Sequence, residues 1–247
     1  MFILLCDVVL RVYGIPAMDP LSKIAHRRLY PSLTDPGYLT LRSRRLIFAN
    51  WARQFQGEHV TVLDVGGRYQ PYRPLFRDSI RHYYAVDLIK TEFVSVVADA
   101  TNLPFARDSF DLVIATQVFE YVPDPGASVK QIHAVLKPGG VMLASFAAYA
   151  PRSGDEEHWR FTPSGFLRML EPFGATEIVP ELYSVGGLIR TVNSGLDVFV
   201  RYKSARRAYR LTVCPLLNLV GLGLEKLKPT SNHQFTTNYS VRAVKGK

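Results

Sequence analysis

Residues 62–72 read VLDVGGRYQPY, the pattern of a short apolar strand that ends in an acid and a glycine turn. Paired glycines let the backbone turn sharply and come close to a ligand. Further along the chain, residues 83–87 read YYAVD, a second apolar strand that ends in an acid. Ligands of open α/β sheets bind in the crevice beyond the carboxyl ends of the strands. We therefore expect Asp64 and Asp87 to border one nucleotide-like ligand, with the Asp87 carboxylate accepting the hydrogen bonds of a ribose diol.

Strands and helices alternate through the rest of the chain. A helix is predicted to begin at Asp124 and Pro125, a cap followed by proline, and to end at residues 137–140, which read KPGG. A second helix is predicted to begin in the same way at Thr162 and Pro163. This alternation predicts a parallel, doubly wound sheet. Its further strands are predicted at residues 93–100, 108–115, 141–146, 175–180 and 234–244.

Two segments are predicted to be helical additions to this sheet. Residues 1–56 are predicted to form a helical N-terminal extension, in which Phe48, Trp51, Ala52 and Phe55 share one helical face. Residues 57–247 are predicted to form the main domain, with a helical insertion at about residues 186–230.

The composition is that of a globular protein, with 47% hydrophobic and 21% charged residues among 247. It excludes fibrous, disordered and disulfide-framed chains. The two cysteines, Cys6 and Cys214, are far apart and have apolar neighbours, which is typical of buried thiols in a reducing compartment. We therefore expect a cytoplasmic location. The net charge of +9 indicates an acidic partner such as a phosphate or an anionic membrane face.

The predicted insertion has a basic part followed by an apolar part. Residues 211–224 carry no charge, and the five cations that precede them are Arg201, Lys203, Arg206, Arg207 and Arg210. This order is typical of an element on an anionic membrane surface, which would place the protein at the inner face of the membrane. A helical cap over the core or a homodimer contact explains the same order and is the favoured interpretation. The apolar part is too short to span a bilayer.

The ordered set of motifs resembles the class I S-adenosylmethionine-dependent methyltransferases, of the methyltransferase type 11-like kind. The set comprises strand-acid-glycine, strand-acid, Asp99 with Ala100, the strand at 110–115, a helix, KPGG and a strand. The resemblance covers about residues 60–170. It implies a Rossmann-like sheet of seven strands, mostly parallel with an antiparallel last strand, and S-adenosyl-L-methionine as the cofactor. Residues 64–73 and 155–163 look like the subgroup associated with polysaccharide and glycan biosynthesis.

The resemblance also implies roles for individual residues around the cofactor. Asp64, Gly66 and Gly67 would face its methionine end, and Asp87 would hold the ribose hydroxyls. Asp99 and Ala100 would read the adenine edge, while Gln117 would border the methionine part and the acceptor pocket. One departure is that the family pattern predicts glycines where this chain has Arg68 and Gln70. The turn is therefore expected to follow a different path, fixed in part by Pro71.

The transfer of an activated methyl group needs mainly the alignment of the acceptor with that group. A hydroxyl acceptor also gains from a base, for which His158 is the first candidate and Glu120 the second. Glu120 is equally well read as a buried, hydrogen-bonded acid. No metal is implied. Three further residues are candidates for substrate contact: Tyr121, Trp159 and Arg160. The alternative for the last two is a loop that packs the tryptophan on the core and pairs the arginine with an acid.

These observations predict O-methylation of a glycan or glycan-lipid precursor. One alternative is an RNA or small-molecule methyltransferase. Another is a nicotinamide-dependent dehydrogenase, although the chain lacks the Gly-x-Gly-x-x-Gly pattern of that class. Nucleic acid is a poor candidate for the partner, because no motif interleaves aromatic and basic residues for stacking.

Overall fold

The computed structural model describes residues 18–149, 156–227 and 234–247. Cys6, Asp155 and residues 228–233, which precede the last strand, lie outside these ranges. Seven strands form one sheet in the order β3-β2-β1-β4-β5-β7-β6, and only β7 runs antiparallel to its neighbours β5 and β6. The predicted fold class is confirmed. The strands are β1 (Val60–Val65), β2 (Ile80–Asp87), β3 (Val96–Val97), β4 (Phe110–Thr116), β5 (Leu136–Ala147), β6 (Ala175–Pro180) and β7 (Asn238–Val244).

Seven α-helices accompany the sheet in the part of the chain that is described. The two predicted helix starts are confirmed, since an oxygen of Asp124 accepts from Ala127 N at 2.9 Å and one of Thr162 from Gly165 N at 3.1 Å. Short 3-10 helices lie at Arg53–Phe55 and Arg73–Ser79. The α-helices are α1 (Pro20–Leu29), α2 (Tyr38–Ala52), α3 (Pro125–Val135), α4 (Pro163–Met169), α5 (Ser184–Phe199), α6 (Lys203–Leu211) and α7 (Val213–Leu227).

Three predicted strands have the wrong length, and the last strand of the chain begins at Asn238 rather than at residue 234. The third is reduced to Val96–Val97, because its flanking residues form turns and irregular backbone instead of pairing. The fifth begins at Leu136 rather than at residue 141, since the KPGG stretch already continues the sheet. Gly139 N donates to Lys245 O at 3.0 Å, and Lys245 N donates to Gly140 O at 2.9 Å. The division of the chain at residue 56 stays a prediction.

Helices cover both faces of the sheet. One face packs on α2 and the 3-10 turn after it, whose predicted apolar face is buried: Phe48, Trp51, Ala52 and Phe55. The other face packs on α3 and α4, in part through Ile132 and Phe166. Within the described ranges, no helix is long and apolar enough to cross a membrane.

A buried ion pair links α2 to the carboxyl end of β6. Arg44 Nε donates to Glu181 Oε1 at 2.7 Å and its Nη2 donates to Oε2 at 2.9 Å. Ser240 Oγ donates to the same carboxylate at 2.8 Å, so the acid is satisfied from two elements. The side chain of Glu181 is fully enclosed and that of Arg44 is 6% exposed. The ion pair therefore lies at the carboxyl end of β6, where it holds α2 against the edge of the sheet.

Replacing Arg44 with methionine should destabilise the fold strongly, because Glu181 would remain buried without its counter-charge. We expect a loss of about 3–5 kcal/mol in the free energy of unfolding, measured by urea denaturation. The double variant Arg44→Met with Glu181→Met should recover much of that loss. The exposed Arg53→Met is the matched control and should change stability by less than about 0.5 kcal/mol. A small effect for Arg44→Met alone would contradict this account.

Candidate active site

The turn after β1 has no room for side chains. Gly66 has a φ of 72°, and a Cβ at this position would lie 2.4 Å from Cγ2 of Val118. A Cβ on Gly67 would lie 2.7 Å from the carbonyl oxygen of Asp64. The N–H groups of both glycines donate to Val86 O, at 2.8 and 3.1 Å, so the turn is tied to the end of β2. Gly66 itself is exposed, so a ligand can reach the backbone at this point of the turn.

The loop beyond the turn follows the different path that its sequence predicts. Gln70 adopts a left-handed conformation, with a φ of 48°, which a glycine usually supplies. Its buried side chain is held at both ends, because Nε2 donates to Phe93 O at 2.7 Å and Oε1 accepts from Arg73 Nη1 at 2.9 Å. Two side-chain hydrogen bonds thus stabilise a left-handed backbone conformation that a glycine would adopt without strain.

The two acids at the strand ends have different surroundings. Asp64 is buried, and its carboxylate accepts from Tyr83 Oη at 2.6 Å. Burial raises the pKa of Asp64 to about 7. Asp87 lies at the edge, where Oδ1 accepts from Ile89 N at 2.9 Å and Oδ2 lies 4.0 Å from Arg68 Nε. The Asp87 carboxylate therefore keeps lone pairs for a ligand, whereas that of Asp64 is engaged beneath the turn.

Arg68 occupies a position where the family pattern has glycine, and the sequence alone did not predict a ligand-binding role for it. Its Nε is buried and has no hydrogen-bond partner in the described part of the chain, and its Cζ lies 5.1 Å from the centroid of the Tyr69 ring. Buried N–H groups nearly always have an acceptor, so an orphaned one beside a ligand crevice suggests an anionic ligand group. An amino-acid carboxylate next to a ribose fits Arg68 and Asp87 together. The residues present therefore fit the cofactor that the resemblance implies.

The remaining predicted cofactor residues lie along the same edge. Asp99 follows β3, and its Oδ1 accepts from the N and the Oγ1 of Thr101 at 2.8 and 2.9 Å. Ala100 beside it is buried. Since adjacent parallel strands end at one edge, the order β3-β2-β1-β4 brings Asp99, Asp87, Gly66 and Gln117 to the same side of the sheet.

Gln117 follows β4 and is held by residues of β5 and β7. Its backbone is left-handed, with a φ of 54°, and its N donates to Ser145 O at 3.0 Å. Its Nε2 lies 3.3 Å from Ser145 Oγ, and its Oε1 accepts from Asn238 Nδ2 at 2.9 Å. A strained backbone at the end of a strand is common at functional sites. The side chain of Gln117 joins β4, β5 and β7 at this edge.

Glu120 connects the segment after β4 with the segment around residue 158. Its carbonyl oxygen accepts from His158 N at 2.7 Å and from Trp159 N at 3.1 Å. Its carboxylate accepts from Ala147 N, while Oε2 is buried and has no partner among the described residues. Burial raises the pKa of Glu120 to about 7. The expected buried acid is thus found, and the same residue fixes the backbone of His158.

The three candidates for substrate contact lie on the surface near Glu120. Trp159 is 44% exposed, stacks on Phe161, and donates from Nε1 to Val122 O at 2.9 Å. Arg160 pairs with Glu157, with Nη2 donating to Oε2 at 2.8 Å. Trp159 and Arg160 line an open depression of about 640 Å³ between the starts of α3 and α4. Tyr121 and His158 are exposed beside them. The alternative reading, a packed tryptophan and a paired arginine, is therefore seen, and both residues still border a depression.

A family profile described as a methyltransferase domain matches residues 63–144, which include the turn, Asp87 and Gln117. Two solved structures share the fold. One from Galdieria sulphuraria, described as a sarcosine dimethylglycine methyltransferase, has a TM-score of 0.52 at 13% identity over 83% of this chain and 88% of that one. One from Bacillus halodurans, described as a methyltransferase, has a TM-score of 0.50 at 16% identity over 81% of this chain and 99% of that one.

Sequence relatives extend this comparison. The human mitochondrial arginine-hydroxylase NDUFAF5 is 34% identical over 141 residues, which are 51% of this chain and 41% of the relative. The chain thus spans less than half the length of that protein. An uncharacterized methyltransferase of Mycobacterium tuberculosis is 30% identical over 181 residues, which are 64% of this chain and 71% of the relative. The chain therefore belongs to the class I family of S-adenosylmethionine-dependent methyltransferases.

Proposed function

We propose that this chain transfers the methyl group of S-adenosylmethionine to an oxygen of a glycan or of a glycan-lipid precursor. The observation that carries the cofactor part is the position of Arg68 Nε, which lacks a hydrogen-bond partner among the described residues and lies 4.0 Å from Asp87 Oδ2 beside the Gly66 turn. The acceptor part is supported by the resemblance of residues 64–73 and 155–163 to the glycan-associated subgroup. Of these two acceptors, a glycan-lipid lies in a bilayer and would be reached only by a protein at the membrane surface.

The proposed cofactor contacts follow the edge of the sheet. Arg68 would pair with the amino-acid carboxylate and Asp87 would accept the ribose hydroxyls. Asp99 and Ala100 would border the adenine. Gly66 and Gly67 would allow the close approach of the methionine part, with Asp64 beneath the turn and Gln117 on its other side. When bound, S-adenosylmethionine supplies a methyl group that its sulfonium has already activated.

Asp87→Ala should weaken the binding of S-adenosylhomocysteine, because a hydrogen bond to a charged acceptor contributes about 1.5–3 kcal/mol. This corresponds to a loss of affinity of roughly tenfold to a hundredfold, measured by titration calorimetry. The matched control is Asp78→Ala, which removes an exposed acid of the 3-10 helix and should leave the affinity unchanged. Unchanged affinity in a folded Asp87→Ala protein would refute the ribose assignment. Binding of NADH instead of S-adenosylhomocysteine would refute the whole proposal.

His158 is the proposed base, because it is exposed near the candidate acceptor residues and its backbone is fixed by Glu120. It would take the proton that the acceptor hydroxyl loses during transfer. Tyr121, Trp159 and Arg160 would position the acceptor. The acceptor class can be tested by following radiolabelled methyl groups into lipid-linked glycans, with RNA and small amines as the competing arms. Label that enters only RNA or only small amines would overturn the glycan assignment.

His158→Ala should lower turnover by about a hundredfold or more and leave cofactor affinity unchanged. The pH–rate profile should also lose its acidic limb, since the group that must be deprotonated is gone. His158→Asn separates this role from a role in shaping the pocket, because a hydrogen-bonding side chain remains but cannot take a proton. The control is His59→Ala, an exposed histidine before β1. Full activity with an unaltered pH profile in His158→Ala would leave Glu120, or alignment alone, as the source of catalysis.

Glu120, the second candidate base, is only 1% exposed. A carboxyl group so enclosed reaches no acceptor unless the backbone around His158 moves. The geometry therefore favours Glu120 as a positioning residue, which acts through the carbonyl oxygen that holds His158 and Trp159. Its carboxyl group then affects the pH dependence of stability more than the chemistry.

The pKa of Glu120 is raised from 4.5 to about 7, so the folded state keeps a proton that the unfolded state loses. Stability should therefore fall as the pH rises between these two values and level off above them. From about pH 4 to pH 8, the wild type should lose about 3 kcal/mol more than Glu120→Gln, by urea denaturation. Asp64 adds a similar slope to both proteins, so the difference isolates Glu120. Equal pH dependence in the two proteins would contradict a raised pKa of Glu120.

A further inference from the structure

The helices α5 and α7 pack side by side through a polar and small-residue face. Asn193 Nδ2 donates to Asn218 Oδ1 at 3.1 Å, and Asn218 Nδ2 donates to Leu33 O at 2.7 Å. A Cβ on Gly221 would lie 2.5 Å from Cδ1 of Leu39 in α2. Glu225 accepts from the N–H groups of Tyr183 and Gly186 at 3.1 Å, which fixes α7 to the start of α5. The inward contacts of this helix pair are therefore largely hydrogen bonds and close backbone packing.

The outward side of the same helices is apolar. A stripe on α5 comprises Leu188, Val192, Leu196 and Phe199, which are between 41% and 83% exposed. A second stripe on α7 comprises Val213, Leu216, Leu219 and Val220, which are between 42% and 63% exposed. A helix at a water-exposed surface normally buries its apolar stripe and exposes its polar one. Here the arrangement is reversed, and a large exposed apolar patch marks an interaction site.

Exposed cations lie beside these stripes. Residues 198–224 contain no acid, and Arg201, Lys203 and Arg207 are exposed. The other two cations of the segment serve the fold, since Arg210 pairs with Asp197 at 2.6 Å and Arg206 Nε donates to Val200 O at 3.0 Å. Tyr202, at the junction of α5 and α6, is 79% exposed and has the amphipathic ring that suits a membrane–water interface.

We propose that the outward side of α5–α7 docks on the anionic surface of a lipid bilayer. The two apolar stripes would enter the interface, and Arg201, Lys203 and Arg207 would contact the headgroups. A twofold contact with a second copy would bring two basic clusters together and is disfavoured by their repulsion. A polyanion such as RNA would use the cations and leave the apolar stripes in water.

This docking would place the membrane beside the helices that pack at the carboxyl end of β6. Glu225 of α7 bonds Tyr183, two residues beyond Glu181, and α7 also rests on α2 through Gly221. The helix pair therefore adjoins the carboxyl edge of the sheet at β6, three strands away from β4, which Gln117 follows. The proposal rests on the surface alone and stands whether or not the acceptor is a glycan.

Flotation of the purified full chain with vesicles tests this proposal. The wild type should bind phosphatidylcholine vesicles that contain phosphatidylglycerol, and added salt should weaken that binding. Phe199→Glu with Leu216→Glu should abolish binding, whereas Leu46→Glu with Leu167→Glu, on exposed sites elsewhere, should retain it. Arg201→Gln, Lys203→Gln and Arg207→Gln together should lower the vesicle partition coefficient by about tenfold to a hundredfold. The triple change Arg77→Gln, Arg81→Gln and Arg107→Gln removes equal charge from other exposed sites and should have little effect.

Three outcomes would overturn the proposal. The first is the absence of flotation with the vesicles that contain phosphatidylglycerol. The second is wild-type binding by the Phe199→Glu and Leu216→Glu protein, which would show attraction by charge alone. The third is that light scattering shows a dimer of the wild type, that the Phe199→Glu and Leu216→Glu protein is a monomer, and that the wild type does not bind vesicles. Circular dichroism of each variant shows whether it is folded, and methylation assays are not needed for any of these outcomes.

Discussion

The lack of a Cβ at Gly66 and Gly67 determines where the chain goes after β1. With any larger residue, the side chain of Val118 or the backbone of Asp64 would have to move. Only with this turn in place do both N–H groups reach Val86 and lock the end of β1 against β2. The position of Arg68 against Asp87 depends on the same turn, and so does the crevice that faces them. One steric constraint thus fixes both the sheet edge and the ligand groups along it.

Much of the fold could be predicted because its signals are local. Alternating apolar stretches predict the strands, and Asp124 and Thr162 predict helix starts through hydrogen bonds made within the first turn. The Arg44–Glu181 pair could not be predicted, since its members are 137 residues apart and meet only when β6 joins the sheet. The hydrogen bond from Tyr83 to Asp64 could not be predicted either, although these residues are only 19 positions apart. A strand pattern predicts that an acid ends the strand, but it does not predict which neighbouring strand supplies the partner.

The candidate site, like the fold, could be predicted only in part. The edge and its acids follow from parallel strand topology, which brings successive strand ends together. The proposed role of Arg68 could not be predicted, because a comparison with a glycine pattern registers this residue only as a departure. Gln70 shows why that departure is tolerated: hydrogen bonds to Phe93 and Arg73 stabilise a left-handed backbone in which glycine would be less strained. The pattern records residue types, whereas the structure shows the contacts that compensate for them.

The reversed polarity of α5 and α7 has a consequence for how this protein can change over evolution. The contacts that hold the helix pair together come from Asn193, Asn218, Gly221 and Glu225, while the exposed stripes add little to its attachment. Substitutions on the outward side therefore leave folding almost untouched. If this side docks on a bilayer as proposed, its affinity for different lipid mixtures can change by substitution without a loss of stability.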